Sequence, residues 1–517
     1  MAQFQDLPVE LLPLVFQHVL RPDHFASLCL VNKTFYEHAV PRLYGRVYIY
    51  AWHRDGKTKV LKLFETFANY PQLASYVQKL GIPLLIRDFP KAQWGSAHEN
   101  VLDHCLNGLR NCINLQSCAW TRDGSLTSEI LETLVDFPHL SALDFNGRDG
   151  WDYDHRILPR FTHLQHLSII MPSSRVVGIL PSWLGATGAT LKHLTLICKT
   201  STLVTDSMLS RISPHLPNLE QLHLIGCPRV SHDGILAILL ASSRGINTLG
   251  LDGVSSTLDL AELTRRTSES GALSSLRSLS LSRSLADLPS LVPLLAATQL
   301  THLYLSISGV LSSAQSTHPP TASGTTRDRI DDPARLSASA LSHFVQTCID
   351  THGTKLVRFA LSGIGIDVRD VRALCVACTM LEDLWITLRA PSDIDAIGPC
   401  LSDAHRLRTV HLQFGDFTRY SMASSTSPST SRSPSPVGHI DQTEETHATA
   451  PSVLAYLAPA NALSLVKQCP TTLVQFGVNT RVERCTKRNA FGKVDVDVRL
   501  GFLESPEIPE QFQVVRT

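Results

Sequence analysis

Along the chain an apolar residue is followed, three and five positions later, by two more, with polar or small residues between. The unit reads LQSCAW from Leu115, LSALDF from Leu140, LQHLSI from Leu164, LKHLTL from Leu191, LEQLHL from Leu219 and INTLGL from Ile246. It continues as LRSLSL from Leu276, LTHLYL from Leu300, LVRFAL from Leu356, LEDLWI from Leu381, LRTVHL from Leu407 and LVQFGV from Leu473. The first eight starts are 25, 24, 27, 28, 27, 30 and 24 residues apart, and a weaker copy, VQKLGI, begins at Val77. One such hexamer fits any half-buried strand, whereas twelve of them, most at a near-constant interval, mark a repeated supersecondary unit. Between hexamers the period changes to that of a helix. Met208, Leu209, Ile212 and Leu216 share one face, Ile235, Leu236, Ile238 and Leu239 another, and Ser231 or Asp233 is placed to cap the second.

Two intervals are too long, and composition explains both. SSAQSTHPPTASGTTRDRIDDPA lies between Leu300 and Leu356, and SMASSTSPSTSRSPSPVGHIDQTEETHATAP lies between Leu407 and Leu473. Neither carries the large apolar residues that offset ordering entropy, so both are expected to be disordered insertions, near 309–335 and 419–451. Ser427, Ser433 and Ser435 each precede proline, the context of proline-directed phosphorylation as well as of a solvated spacer. Near the end, Val494, Val496 and Val498 alternate with Asp495, Asp497 and Arg499, which predicts a closing strand.

Ahead of the repeats, LPVELLPLVFQHVL places Leu11, Leu12, Val15, Phe16, Val19 and Leu20 at helical spacing, with Asp6 near the cap, Glu10 in the first turn and Pro13 delaying or kinking the start. Leu28, Val31, Phe35 and Ala39 continue the stripe, and Pro41-Arg42-Leu43-Tyr44 is expected to end it. This segment carries more apolar surface than a single neighbour can cover.

Bulk composition narrows the function classes. Lys+Arg and Asp+Glu both total 46 among 517 residues, so the basic excess needed to neutralise phosphates is absent, and neither nucleic acid nor an anionic membrane is expected as partner. No apolar run approaches the roughly 20 residues that span a bilayer, and no secretion signal opens the chain. The 12 cysteines sit mostly inside apolar patterns, as reduced thiols of a cytoplasmic or nuclear protein would; Cys375-x-x-Cys378 has no second pair at zinc spacing and reads as core. Histidines total 22, and His166 and His193 fall side by side on successive hexamers as a pair that could meet a metal, but no carboxylate or thiolate shares their row, so no metal site is expected. No nucleophile elbow, phosphate loop, HExxH or kinase signature occurs, so neither an enzyme nor a cofactor is expected.

The hexamers resemble the leucine-rich repeat over roughly residues 73 to 505, and LEQLHLIGCPRVSHDGIL from Leu219 to Leu236 is similar to its cysteine-containing variant. The resemblance implies an α/β solenoid in which each hexamer is a strand of a curved parallel sheet and the rest of the unit returns as a convex helix. Residues 4 to 48 resemble an F-box, with Phe35 and Tyr44 where that family usually has tryptophan and Asn32 where it often has cysteine. That likeness implies docking on the Skp adaptor of a cullin-RING ubiquitin ligase through Leu7, Pro8, Leu11, Phe16, Leu20, Leu28, Val31 and Phe35. The expected organisation is an F-box at 4–48, a linker and first weak repeat at 49–114, the solenoid at 115–505 and a tail at 506–517. The expected function is that of the substrate-receptor subunit of an SCF-type ligase, with a scaffold acting outside any ligase, or a mere helical cap on the solenoid, as alternatives.

The +2 and +4 positions of each hexamer face away from the core. They are small at Thr248, Gly250, Ser278 and Ser280, whereas His302, Tyr304, Arg358, Asp383 and Trp385 form the residue mix of binding hot spots and are the expected target-binding group.

Overall fold

A computed structural model describes residues 8–19, 21–49, 56–82, 98–148, 152–199, 201–308, 333–390, 392–414, 459–479, 481–489 and 496–502. The chain divides into two compact units, Met1–Leu273 and Ser274–Thr517. The Ser/Thr/Pro-rich stretches, with the three Ser-Pro sites, fall almost wholly outside the described residues, as do Leu7, Leu20, Val494 and Asp495.

In the first unit a 3₁₀ turn at Val9–Leu11 leads into α1 (Leu12–Phe16), followed by α2 (Pro22–Cys29) and α3 (Lys33–Gly45). Asn32 caps α3 by accepting the Phe35 amide hydrogen at 2.8 Å. Pro41 does not end α3, which runs on through it to Gly45. Eight parallel strands follow: β1 (Arg46–Tyr48), β2 (Lys79–Gly81), β3 (Ser117–Trp120), β4 (Ala142–Asn146), β5 (His166–Ile170), β6 (His193–Ile197), β7 (Gln221–Ile225) and β8 (Thr248–Asp252). The helices between them include α4 (Gly56–Asn69), α5 (Pro71–Ala74), α6 (His98–Arg110), α7 (Ser128–Val135), α8 (Ser174–Thr187), α9 (Asp206–Ile212) and α10 (His232–Ala241), with α11 (Leu260–Ser270) after β8.

The second unit holds six parallel strands: β9 (Ser278–Ser284), β10 (His302–Ser308), β11 (Arg358–Ile366), β12 (Asp383–Leu388), β13 (Thr409–Phe414) and β14 (Gln475–Val478). Its helices are α12 (Leu288–Ala296), α13 (Pro333–His352), α14 (Val368–Ala377), α15 (Asp393–Ser402) and α16 (Pro459–Gln468). An antiparallel hairpin, β15 (Arg481–Asn489) with β16 (Val496–Phe502), completes this sheet.

Both units are leucine-rich-repeat solenoids of α/β class, and one rule generates them. Each of the twelve hexamers begins its strand at its +2 residue, and every parallel pairing sets +2 opposite +2. Apolar positions 0, +3 and +5 point to the helices and are buried, as Leu219, Leu222 and Leu224 are. Each repeat buries them only by stacking on the next. The chain leaves β7 and β8 through Gly226 (φ 67°) and Gly253 (φ 58°), in the left-handed region where a side chain is strained. Ser231 caps α10 by accepting the Asp233 amide hydrogen, and Asp206 at the start of α9 accepts from the Ser231 hydroxyl at 2.8 Å, tying two repeats together.

The register also identifies a copy the sequence pattern does not bring out. Tyr44, Val47 and Ile49 stand in the 0, +3, +5 relation, and β1 pairs in the common register with Arg46 opposite Lys79. Tyr44 thus ends the helical module and opens the sheet, and its ring packs 6.3 Å from that of Phe67 on α4.

Candidate functional site

The N-terminal helices divide their apolar residues between two faces. Leu12, Phe16, Phe25 and Ala39 form the core, with Val19, Leu28, Cys29, Phe35 and Leu43 packed against it. Phe16 is its centre, in edge-on contact with Phe25 and Phe35 at centroid distances of 6.4 and 5.4 Å, and the Arg42 guanidinium donates to the Pro13 carbonyl at 2.9 Å. The other face lies in solvent: Leu30 is 88% exposed, Val31 58%, Leu14 55%, Val9 48%, Val15 41% and Leu11 38%. Leu11, Leu14 and Val15 share one helical side by their spacing, and Leu30 and Val31 lie in the turn between α2 and α3. Of the residues expected to meet an adaptor, then, Pro8, Leu11 and Val31 are on the outside, while Phe16, Leu28 and Phe35 belong to the core or line it. Val9, Leu14, Val15 and Leu30 join the outer set. The surplus of apolar residues signals a second apolar face, but in so short a helix the period does not say which residues form it.

On the open face of the second unit the expected target-binding residues come together. Register places His302 opposite Arg358 and Arg358 opposite Asp383 in one row, and Tyr304, Ala360, Trp385 and His411 in the next. The Arg358 Nε lies 2.6 Å from the Asp383 carboxylate. Burial pushes the Tyr304 phenol up against the opposing pull of Arg358, and holds His302 below its ordinary value with Arg358 adding to the effect. Trp385 stacks on His411 at 4.0 Å with planes 23° apart, and the His411 Nε2 donates to the Asn479 carbonyl at 2.7 Å. His411 lies over Gly477, where a Cβ would run into its ring. Tyr304 and His411 are buried, so Trp385 and the Arg358–Asp383 pair form what a partner can touch.

The first unit carries a different arrangement. His166 and His193 stand opposite each other on β5 and β6 with their Nδ1 atoms 3.2 Å apart. A carboxylate does reach this pair, coming diagonally from the +4 row: Asp144 on β4 lies 2.9 Å from the His166 Nε2. A carboxylate only accepts, so His166 carries its hydrogen on Nε2. With both rings neutral, its Nδ1 accepts from the His193 Nδ1, and the His193 Nε2 keeps a lone pair. Burial, followed by the neighbouring His166, lowers His193 from the ordinary histidine range. His223, on the next strand, is pushed down to about 4, first by burial and then by His166 and His193. Its ring occupies the space a Cβ at Gly250 would need.

No group of three or more His, Cys, Asp or Glu side chains converges as a metal site among the described residues. All twelve cysteines are free, eleven of them buried. Burial pushes Cys375 and Cys378 up, the latter to about 11, so this pair is packed thiol rather than thiolate. No helix among the described residues is long and apolar enough to cross a membrane.

No protein-family model matches the sequence, and no curated protein matches it. Among solved structures, the leucine-rich repeat-containing protein LegL7 from Legionella pneumophila aligns at 13% identity, over 51% of this chain and 90% of its own, with a TM-score of 0.31. A chain of the Rad7 and Elc1 complex in yeast aligns at 12% identity, over 80% of this chain and 93% of its own, with a TM-score of 0.35. Similarity at this level leaves the functional reading to the geometry of the chain itself.

Proposed function

We propose that the chain is the substrate-receptor subunit of an SCF-type cullin-RING ubiquitin ligase, in which the N-terminal helices are an F-box docking on a Skp-type adaptor and the repeats bind the target. The observation that carries this reading is where apolar surface is left in water. Of the fifteen large hydrophobic residues exposed among the described residues, seven lie between Val9 and Tyr36. The module already has its own core in Phe16 and its neighbours, so the outer residues do not serve its folding. Each apolar side chain left in water forgoes burial worth about 1.5–3 kcal/mol, which a partner groove would recover. A plain cap on the solenoid would need no second face.

The chain would carry no active site. Its contribution would be proximity, raising the effective concentration of a target lysine near the ubiquitin-charged enzyme. The target would meet the second unit through Trp385 and the Arg358–Asp383 pair, with His302 and Tyr304 shaping the floor.

The test is co-purification with the adaptor and a cullin. Leu14→Asp with Leu30→Asp is expected to abolish adaptor capture while the thermal transition stays where it is, because both residues already face water. Undiminished adaptor capture by that variant would refute the docking face. Adaptor without cullin would instead favour a scaffold acting outside a ligase. On the target side, Trp385→Ala with Arg358→Ala should change the set of captured proteins other than ligase subunits, and an unchanged set places the target elsewhere.

A further inference from the structure

The outward positions of the first unit carry almost no negative charge. The +2 row crosses all eight strands, from Arg46 and Lys79 through Ser117 and Ala142 to His166 and His193 and beyond, and holds no carboxylate. The +4 row holds a single one, Asp144, already engaged by the His166 Nε2 at 2.9 Å. In a chain with equal numbers of acidic and basic residues, such a face leaves cations without counter-charge. Arg46 and Lys79 stand opposite each other, both exposed, and among the described residues neither is ion-paired. The Arg46 guanidinium lies 6.0 Å from the centroid of the Tyr48 ring beneath it. That ring occupies the space a Cβ at Gly81 would need, so it lies along the sheet and gives the guanidinium a floor. At the far end, the hydrogen between His166 and His193 leaves the Nε2 of half-buried His193 with a lone pair. A proton taken from water by that Nε2 makes His193 a cation and a donor without breaking its link to His166, which Asp144 holds from the other side. Burial first, and then His166, keep His193 below its ordinary value, with Glu220 pulling up and Lys192 down. An anion set against the Nε2 acts in the opposite sense.

We propose that a glutamate- or aspartate-rich segment of a partner protein docks along this row, its carboxylates held by Arg46 and Lys79 at one end and by a protonated His193 at the other. Five steps between neighbouring strands separate Arg46 from His193, roughly 24 Å, which about seven extended residues span. Ser117 and Ala142 lie between, small enough for a backbone to pass over. Docking takes up one proton, so the complex tightens as pH falls through the histidine range. His223, on the next strand and held down to about 4, stays neutral over that range. The face is separate from the Trp385 surface, and its occupancy does not depend on adaptor docking.

The probe is a fluorescein-labelled seven-residue peptide with two glutamates at each end and glycine and serine between them, titrated with the full chain and followed by anisotropy. The wild type is expected to bind it, and Arg46→Ser with Lys79→Ser to weaken binding about 10-fold while the thermal transition stays where it is, since both residues already face water. Between pH 7.5 and 5.5 the glutamates remain charged, and wild-type affinity should rise about 3-fold or more, a gain that His193→Gln lacks. A measurement on the unaltered protein guards against a variant that misfolds: excess peptide should slow acylation of Lys79 by an N-hydroxysuccinimide ester, mapped by mass spectrometry, and leave Lys33 of the helical module, 90% exposed in its side chain, unaffected. Equal binding by wild type and the double variant, a pH gain that survives in His193→Gln, an unchanged rate at Lys79, or equally effective displacement of the peptide by a single-stranded oligonucleotide would overturn the proposal.

Discussion

On the open face of the first unit, from β4 to β6, polar side chains are linked along a line, Asp144 to His166 to His193, which with neutral rings ends on a ring nitrogen with a lone pair. Between β10 and β13 of the second unit they close on one another, Arg358 on Asp383 and His411 on Asn479, and what faces outward is an indole. The strand rule is the same in both. The rows differ only in what occupies +2 and +4, so recognition chemistry is written into the outward residues with no change to the scaffold beneath. The first face offers directed lone pairs, and the second offers a flat aromatic surface beside an ion pair that has largely neutralised itself.

Glycine substitutions should separate the two faces most strongly. A side chain at Gly477 strikes the ring of His411, which is held between Trp385 and the Asn479 carbonyl and has nowhere to turn. At Gly250 the obstacle is His223, which lacks such a clamp and is only partly buried. Gly477→Val is therefore expected to cost about 3 kcal/mol in denaturant unfolding and Gly250→Val about 1–2 kcal/mol, the range for overpacked sites. Equal costs would mean that the clamp does not hold the His411 ring.

Acid should act on the lone-pair face through His223. Its pKa is lowered in the fold to about 4, from an ordinary value of 6.5. The unfolded chain takes up the proton first as pH falls. Stability from this group is thus complete above about pH 6.5, declines between there and about pH 4, and is level below. The loss is on the order of 2–3 kcal/mol, and His223→Asn should remove that part of the difference between unfolding at pH 7.5 and at pH 4.5. A pH dependence unaltered in the variant would show that His223 already protonates freely in the fold.

The ion pair of the second face should matter little to stability. Arg358 is 40% exposed in its side chain, and water screens much of what Asp383 supplies. Asp383→Ala is expected to cost no more than about 1 kcal/mol, with the difference shrinking further in high salt. Phe16→Ala in the helical module, by contrast, should cost about 3–5 kcal/mol and melt that module. Leu30→Asp in the same module should leave melting within about 0.5 kcal/mol of wild type.

The sheet was legible in the sequence because burial forces one spacing. Positions 0, +3 and +5 must all reach the helices, and leucine at those places is unambiguous from Leu191 to Leu196 and from Leu219 to Leu224. The copy at Tyr44 escapes the pattern because its residues, Tyr44, Val47 and Ile49, contain no leucine and abut a helix that continues through Pro41. The alternation of Val494, Val496 and Val498 marks the closing strand β16, whereas its antiparallel partner β15 carries no such mark, since RVERCTKRN has no clean alternation. The His166–Asp144 contact crosses between rows, and its reach depends on side-chain length and rotamer, which sequence spacing does not encode. In α1 apolar residues nearly surround the helix, so only packing decides that Phe16 turns in and Leu14 out.

The two long Ser/Thr/Pro-rich stretches interrupt the array at equivalent places. Residues 309–332 follow the last residue of β10 and precede α13, and residues 415–458 follow β13 and precede α16. The next strands nevertheless pair in the common register, His302 opposite Arg358 and Thr409 opposite Gln475. Insertion length is therefore decoupled from strand alignment at the strand-to-helix passage of the repeat. A gene encoding such an array can gain or lose segments at that seam without a frame of pairing to repair, and the seam is where a fluorescent reporter or an epitope could be spliced in while the faces on either side keep their spacing.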